Sequence, residues 1–124
     1  MKRPWSLTGR EQFSSVFRGG RAYFGSVLVL RVMQNGLSAS RLGLVVGKRV
    51  GGAVQRNRVK RWIRGIVNVR ALPQGWDIVV IARSSIQGAR YQDVESELQR
   101  LLIKASVLGT DGDQRHKNVP ADRV

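Results

Sequence analysis

Between Arg41 and Arg64 the chain reads RLGLVVGKRVGGAVQRNRVKRWIR, with eight Lys or Arg residues in twenty-four and no Asp or Glu. The triplet Arg56-Asn57-Arg58 is its chemical focus, because two guanidinium groups flank an amide at the expected start of a helix. A guanidinium presents planar donors that match a phosphate bidentately. The first turn of a helix adds unpaired backbone N–H groups. This combination suits the gripping of a nucleic-acid backbone. The plainer alternative is a solvated helix start on which Asn57 caps locally. The neighbouring cations Lys48, Arg49, Lys60, Arg61 and Arg64 favour phosphate contact. Gly51 and Gly52 permit a tight approach loop and close access of backbone to phosphate. The loop lacks the Walker A order, so nucleoside triphosphate binding is not expected.

The same stretch carries an apolar run, Leu42–Val46, and an apolar helical stripe of Val59, Trp62, Ile63 and Ile66. A disordered basic tail would lack such residues. The cations therefore belong to a folded element, and a polyanion is its natural partner.

Catalysis by the protein's own side chains finds little support. There is no cysteine, and the one histidine, His116, lies in a polar tail. Disulfides, thiolate metal sites and multi-histidine sites are excluded. The acids outside the tail are Glu11, Asp77, Asp93, Glu95 and Glu97. Glu11 is explained by helix capping, and the last three by favourable charge at a helix start. A self-sufficient nuclease therefore ranks as a distant alternative.

The 124 residues suit a single domain, and a net charge of +14 calls for an anionic partner or salt. Charge alone does not choose among RNA, DNA, acidic lipid and acidic protein. No apolar run approaches the ~18 residues of a membrane span. Lys2 and Arg3 are not followed by an apolar segment, so no secretory signal is expected. The expectation is a soluble, cytoplasmic, monomeric protein.

The elements that position the cations follow in order. Trp5 and Leu7 are expected to pack on the domain edge. Thr8 with Glu11 makes a capping box, Phe13, Val16 and Phe17 share one helical face, and Gly19-Gly20 ends the helix. A core role is the default for Phe13 and Phe17. The alternative is a groove wall for single-stranded nucleic acid, with Tyr23 and Phe24 in the same wall. Residues 21–24 form a connector or strand start. SVLVLRVM, residues 26–33, reads as a central strand, and residues 41–47 as the next. Asn35-Gly36 between them predicts a hairpin. A helix is expected from about residues 55–57 to 69, closed by Pro73 and Gly75, with Arg58, Lys60, Arg61 and Arg64 mainly opposite its apolar arc. WDIVVIA, residues 76–82, is the strongest strand signal. Strand, helix, strand suggests a parallel crossover. A last helix runs from Tyr91 to about Ser106 with Val94, Leu98, Leu101, Leu102 and Ala105 inward. Residues 109–124 read as a flexible polar tail, leaving one folded domain over 1–108. The order predicts a small α+β or α/β sandwich.

These residues resemble the protein component of bacterial ribonuclease P. The resemblance rests on the Arg41–Arg64 run, the pattern from Phe13 to Phe17, the segment Asp77–Arg83 and the amphipathic last helix, and it covers residues 7–106. It implies an α+β fold in the order αβββαβα with a left-handed βαβ crossover. It also implies a protein that binds a large catalytic RNA and assists removal of the 5′ leader from precursor tRNA, with Mg2+ held mainly by the RNA. Carried over, the RNA contacts fall on Lys48, Arg49, Gly51, Gly52, Arg56, Asn57, Arg58, Lys60, Arg61 and Arg64. A leader cleft would use Phe13, Phe17 and Phe24, with Leu28 and Leu30 in its floor. Gly47, the Lys48-Arg49 pair, Trp62 and Gly65 depart from the common pattern of relatives. The runner-up is a ribosomal or RNA-chaperone protein, which would share the charge and size.

Overall fold

The computed structural model describes residues 6–7, 9–68, 72 and 75–107. The expectations for Thr8, Trp5, Pro73 and the 109–124 tail lie outside these residues. The elements are α1 (Gly9–Gly19), β1 (Arg21–Phe24), β2 (Leu28–Gln34), β3 (Arg41–Val45), α2 (Ala53–Ile66), β4 (Trp76–Ala82) and α3 (Tyr91–Lys104). Short 3-10 turns occupy Lys48–Val50 and Ser84–Ile86. This is the αβββαβα order, and residues 21–24 form a full strand.

The four strands make one mixed sheet in the order β1-β2-β4-β3. β1–β2 and β2–β4 are antiparallel, and β3–β4 is parallel across the α2 crossover. The hairpin expected between β2 and β3 does not form. β4 lies between them, because its run Asp77–Val80 is buried throughout and takes the most enclosed slot. Asn35-Gly36 still turns the chain, but the turn closes against the start of β4. Asn35 N–H donates to Gly75 O at 2.7 Å, and Trp76 N–H to Ser40 Oγ at 3.0 Å. The buried Asp77 fixes this corner. Its carboxylate accepts from Arg41 Nε (2.9 Å) and Nη2 (2.8 Å) and from Asn35 Nδ2 (2.7 Å).

The sheet has one closed and one open face. On the closed face Leu28, Leu30, Val32, Leu42, Ile78 and Val80 meet Val59 and Ile63 of α2 and Val94, Leu98, Leu101 and Leu102 of α3. Each such leucine contributes about 1.5–3 kcal/mol by burial. Leu28 and Leu30 are 0% exposed, which corrects their expected place in a cleft floor. Strand alternation sends their neighbours Val29 and Arg31 to the other face. Tyr23, paired with Leu30, also packs on the closed side and leaves the expected aromatic wall.

On the open face, α1 covers only part of the sheet, through Val16 and Phe13 with Leu7, Met33, Val79 and Ile81. Gly43 allows this approach, since a Cβ there would lie 2.6 Å from Phe13 Cζ.

Glu97 also departs from expectation. It is 7% exposed, and it is not a helix-start surface charge. One carboxylate oxygen accepts from Ser26 N–H (3.0 Å) and Ser26 Oγ (2.8 Å), the other from the N–H groups of Val27 and Leu28 (both 2.9 Å). It therefore pins the β1–β2 turn to α3. Burial pushes its pKa up, but these hydrogen bonds outweigh burial and hold the carboxyl below its ordinary value.

Candidate nucleic-acid interface

The α2 helix starts at Ala53, ahead of the start expected at residues 55–57. Gly52 is the N-cap, its N–H donates to Gln55 Oε1 at 3.1 Å, and its carbonyl accepts from Arg56 N–H at 2.9 Å. No side chain returns a cap to the first turn. The N–H groups of Ala53, Val54 and Gln55 therefore have no partner within the helix. Arg56, Asn57 and Arg58 lie inside the helix, so the local-capping alternative for Asn57 is set aside.

Residues two apart on a helix are rotated by about 200°. Arg56 and Arg58 consequently straddle α2 and do not form a single fork. Arg56 is half-buried, and its Nε is enclosed without a hydrogen-bond partner. Arg58 sits over the Trp62 ring, 5.5 Å from its centroid. Asn57, Arg61 and Arg64 are exposed. Lys60 and Arg64 line a cavity of ≈ 200 Å³ with Phe13, Leu42, Gly43 and Leu44, which joins the cationic helix to the edge of the open sheet face.

The approach loop is anchored from below. Val50 is buried, while Lys48 and Arg49 in the same turn are exposed. Gln87 Nε2 donates to Arg49 O at 3.0 Å. Gly51 has φ +142°, a conformation that other residues adopt only under strain, so the turn into α2 depends on glycine.

The second surface is the part of the open face beyond α1, with Ile81 at its margin. Strand register places Phe24, Val29, Ile81 and Val45 in one row across all four strands. Phe24 is 68% exposed and Phe17, near the end of α1, 43%. The core default therefore fails for Phe17. Phe13 is half-buried against Gly43 and belongs to both readings.

Arg31 is the residue that sequence reasoning missed. It stands on the same face, donates from Nη2 to Phe17 O at 2.7 Å and places its guanidinium carbon 5.1 Å from the Phe17 ring centroid. Its Nε is enclosed and unpaired. The signal was present: one charged residue inside the apolar run SVLVLRVM marks the parity that faces outward, and Val29 shares it.

The Mg2+ that the resemblance implies does not fit the protein's own donors. Among the described residues no three His, Asp or Glu side chains converge. The oxygens of Asp77 and Glu97 are occupied by the contacts above. No described helix is long and apolar enough to cross a membrane.

The family model for ribonuclease P matches residues 1–106. The ribonuclease P protein component of Dehalococcoides mccartyi is 43% identical over 108 residues, covering 87% of this chain and 90% of its own length. That of Roseiflexus castenholzii is 40% identical over 112 residues, covering 87% and 91%. The Staphylococcus aureus RNase P protein structure superposes with a TM-score of 0.80 at 27% identity, over 86% of this chain and 100% of that one. The Thermotoga maritima RNase P protein gives 0.70 at 34% identity, over 78% and 94%. With a family match across this much of the chain and a relative at 43% identity, the chain belongs to the ribonuclease P protein family.

Proposed function

We propose that the protein is the RNA-binding subunit of a ribonucleoprotein endoribonuclease that removes the 5′ leader of precursor tRNA. The flanks of α2 and the Lys48–Gly52 loop take the backbone of the catalytic RNA. The open sheet face takes the single-stranded leader. Hydrolysis of the phosphodiester belongs to the RNA and the Mg2+ it holds. The protein's part is positioning and charge neutralisation, which lowers repulsion between two polyanions. The reading places a monomeric protein in the cytoplasm.

The observation that carries this reading is the pairing of two unlike surfaces that meet at one edge. A cationic helix with an open N-terminus suits phosphates. A row of four apolar side chains, about 14 Å long at ordinary strand spacing, with the exposed rings of Phe24 and Phe17 on offer, suits unstacked bases. Arg31 supplies a cation in the adjoining row of the same face.

Reconstitution tests the proposal. Added to the cognate ribonuclease P RNA at low Mg2+, the protein should switch on leader removal and favour precursor over mature tRNA. Equal binding of both RNAs with no gain in cleavage would instead indicate a ribosomal or chaperone role. Cleavage by protein freed of RNA would move the chemistry to the protein.

The cleft has its own test. Phe24→Ala should shift stability by no more than about 0.5 kcal/mol, as expected for an exposed side chain. It should reduce the preference for leader-bearing substrate about fivefold or more, the lower range for removal of one base stack. Phe17→Ala should do the same with a somewhat larger stability loss. Discrimination left intact by both variants, with assembly also intact, would rule out a stacking role for this face.

A further inference from the structure

Arg58 and Trp62 are four residues apart on α2 and share one flank. The 5.5 Å separation of guanidinium carbon and ring centroid is within cation–π range. Trp62 in turn meets Tyr91, the first residue of α3, edge to face, with centroids 5.7 Å apart and planes at 79°. The indole also packs against the closed-face core. Arg58 itself has no ion pair among the described residues. Its charge is thus unspent while its direction is set by a ring. The recess bounded by Gln55, Arg58, Trp62, Gly88 and Ala89 measures ≈ 40 Å³, too small for a nucleobase. The aromatic pair is therefore a seat for the guanidinium and not a base-binding pocket.

We infer that Trp62, braced by Tyr91, is a positioning residue that holds the Arg58 guanidinium ready for an RNA phosphate on the α3-facing flank of α2. The inference rests on the reading of α2 as an RNA contact. An unseated arginine must give up rotamer freedom when it binds, and a seated one has already done so. Arg56, on the opposite flank, is set by a different device, its partly buried stem. The two arginines of the triplet are thus oriented independently, and only Arg58 depends on α3.

A double-mutant cycle on the full chain with the cognate ribonuclease P RNA tests this. Trp62→Leu should weaken binding about two- to fivefold, the range for one cation–π contact. The salt slope should stay unchanged, because the charge remains. Trp62→Phe should restore most of the affinity. Tyr91→Leu, a change at a residue 39% exposed, should give a smaller loss in the same direction and guards against a folding defect in the Trp62 variant. Arg58→Ala should lower the salt slope by about one phosphate contact. In the Arg58→Ala background, Trp62→Leu should have no further effect. Full persistence of the Trp62 effect in that background overturns the proposal, and so does unaltered binding by both Trp62→Leu and Tyr91→Leu. If Arg58→Ala itself leaves affinity and slope unchanged, the RNA-contact reading of this flank fails instead.

Discussion

Alanine at both Arg56 and Arg58 is expected to weaken binding of the ribonuclease P RNA about 25- to 60-fold near 0.1 M monovalent salt. The figure follows from counterion release, in which each phosphate contact adds roughly 0.7–0.9 to the slope of log affinity against log salt. Removing both guanidinium groups should lower that slope by about 1.4–1.8. Neither guanidinium holds an ion pair among the described residues, so the variant should fold normally. Because the two side chains lie on opposite flanks of α2, their effects should be close to additive. A salt titration of binding, with a thermal melt of each variant beside it, separates charge from stability. A slope equal to that of the unmodified protein would exclude phosphate contact by this triplet.

The second large effect is expected at Glu97. Glu97→Ala strands three backbone N–H groups and the Ser26 hydroxyl at a partly buried turn. The expected cost is about 3–5 kcal/mol, or a fall in Tm of roughly 12 °C or more for a domain near this size. Glu97→Gln retains an acceptor oxygen and should lose less. The pH dependence has a definite sign. The folded-state carboxyl titrates below its ordinary value, so its stabilisation is complete above the unfolded carboxylate pKa. It is lost as pH falls through the folded value. Glu97→Gln should therefore flatten the acid limb of the stability profile. A Tm shift of only a few degrees for Glu97→Ala, with an unchanged acid limb, would remove the carboxylate from this role. Phe24 is the last residue of β1, immediately before this turn, so the same variant should also impair leader discrimination.

How far the sequence carried the fold can be judged residue by residue. The inward stripe Val94, Leu98, Leu101, Leu102 and Ala105 was legible because helical period is written in one element alone. The parallel β3–α2–β4 unit was legible from element order. The position of β4 was not. Asn35-Gly36 specifies that the chain turns, but which strand lies alongside depends on burial summed over the whole sheet. Leu28 and Leu30 were misplaced because a nearly continuous apolar strand conceals which parity faces a groove. Glu97 was misread because a helix-start charge and a carboxylate buried against a distant turn look alike in one dimension. The cations of α2 were legible as a set. Their division between two flanks required the actual helix start at Ala53, ahead of the expected one, and the seat of Arg58 required a tyrosine 33 positions away.

The insertion of β4 between β2 and β3 governs when this protein can begin its work. The positive stretch from Arg41 to Arg64 is synthesised before residues 76–82, the strand that must lie between β2 and β3. Until those arrive, β3 has no ladder to join and α2 has no completed sheet to lie on. Such delayed, long-range pairing slows folding relative to a simple succession of hairpins. Through that interval the nascent chain carries the cations of this stretch without the geometry that directs them. Any RNA that prefers the finished form draws the late strand into place by mass action. Maturation of the subunit and its capture by RNA are, on this topology, linked equilibria.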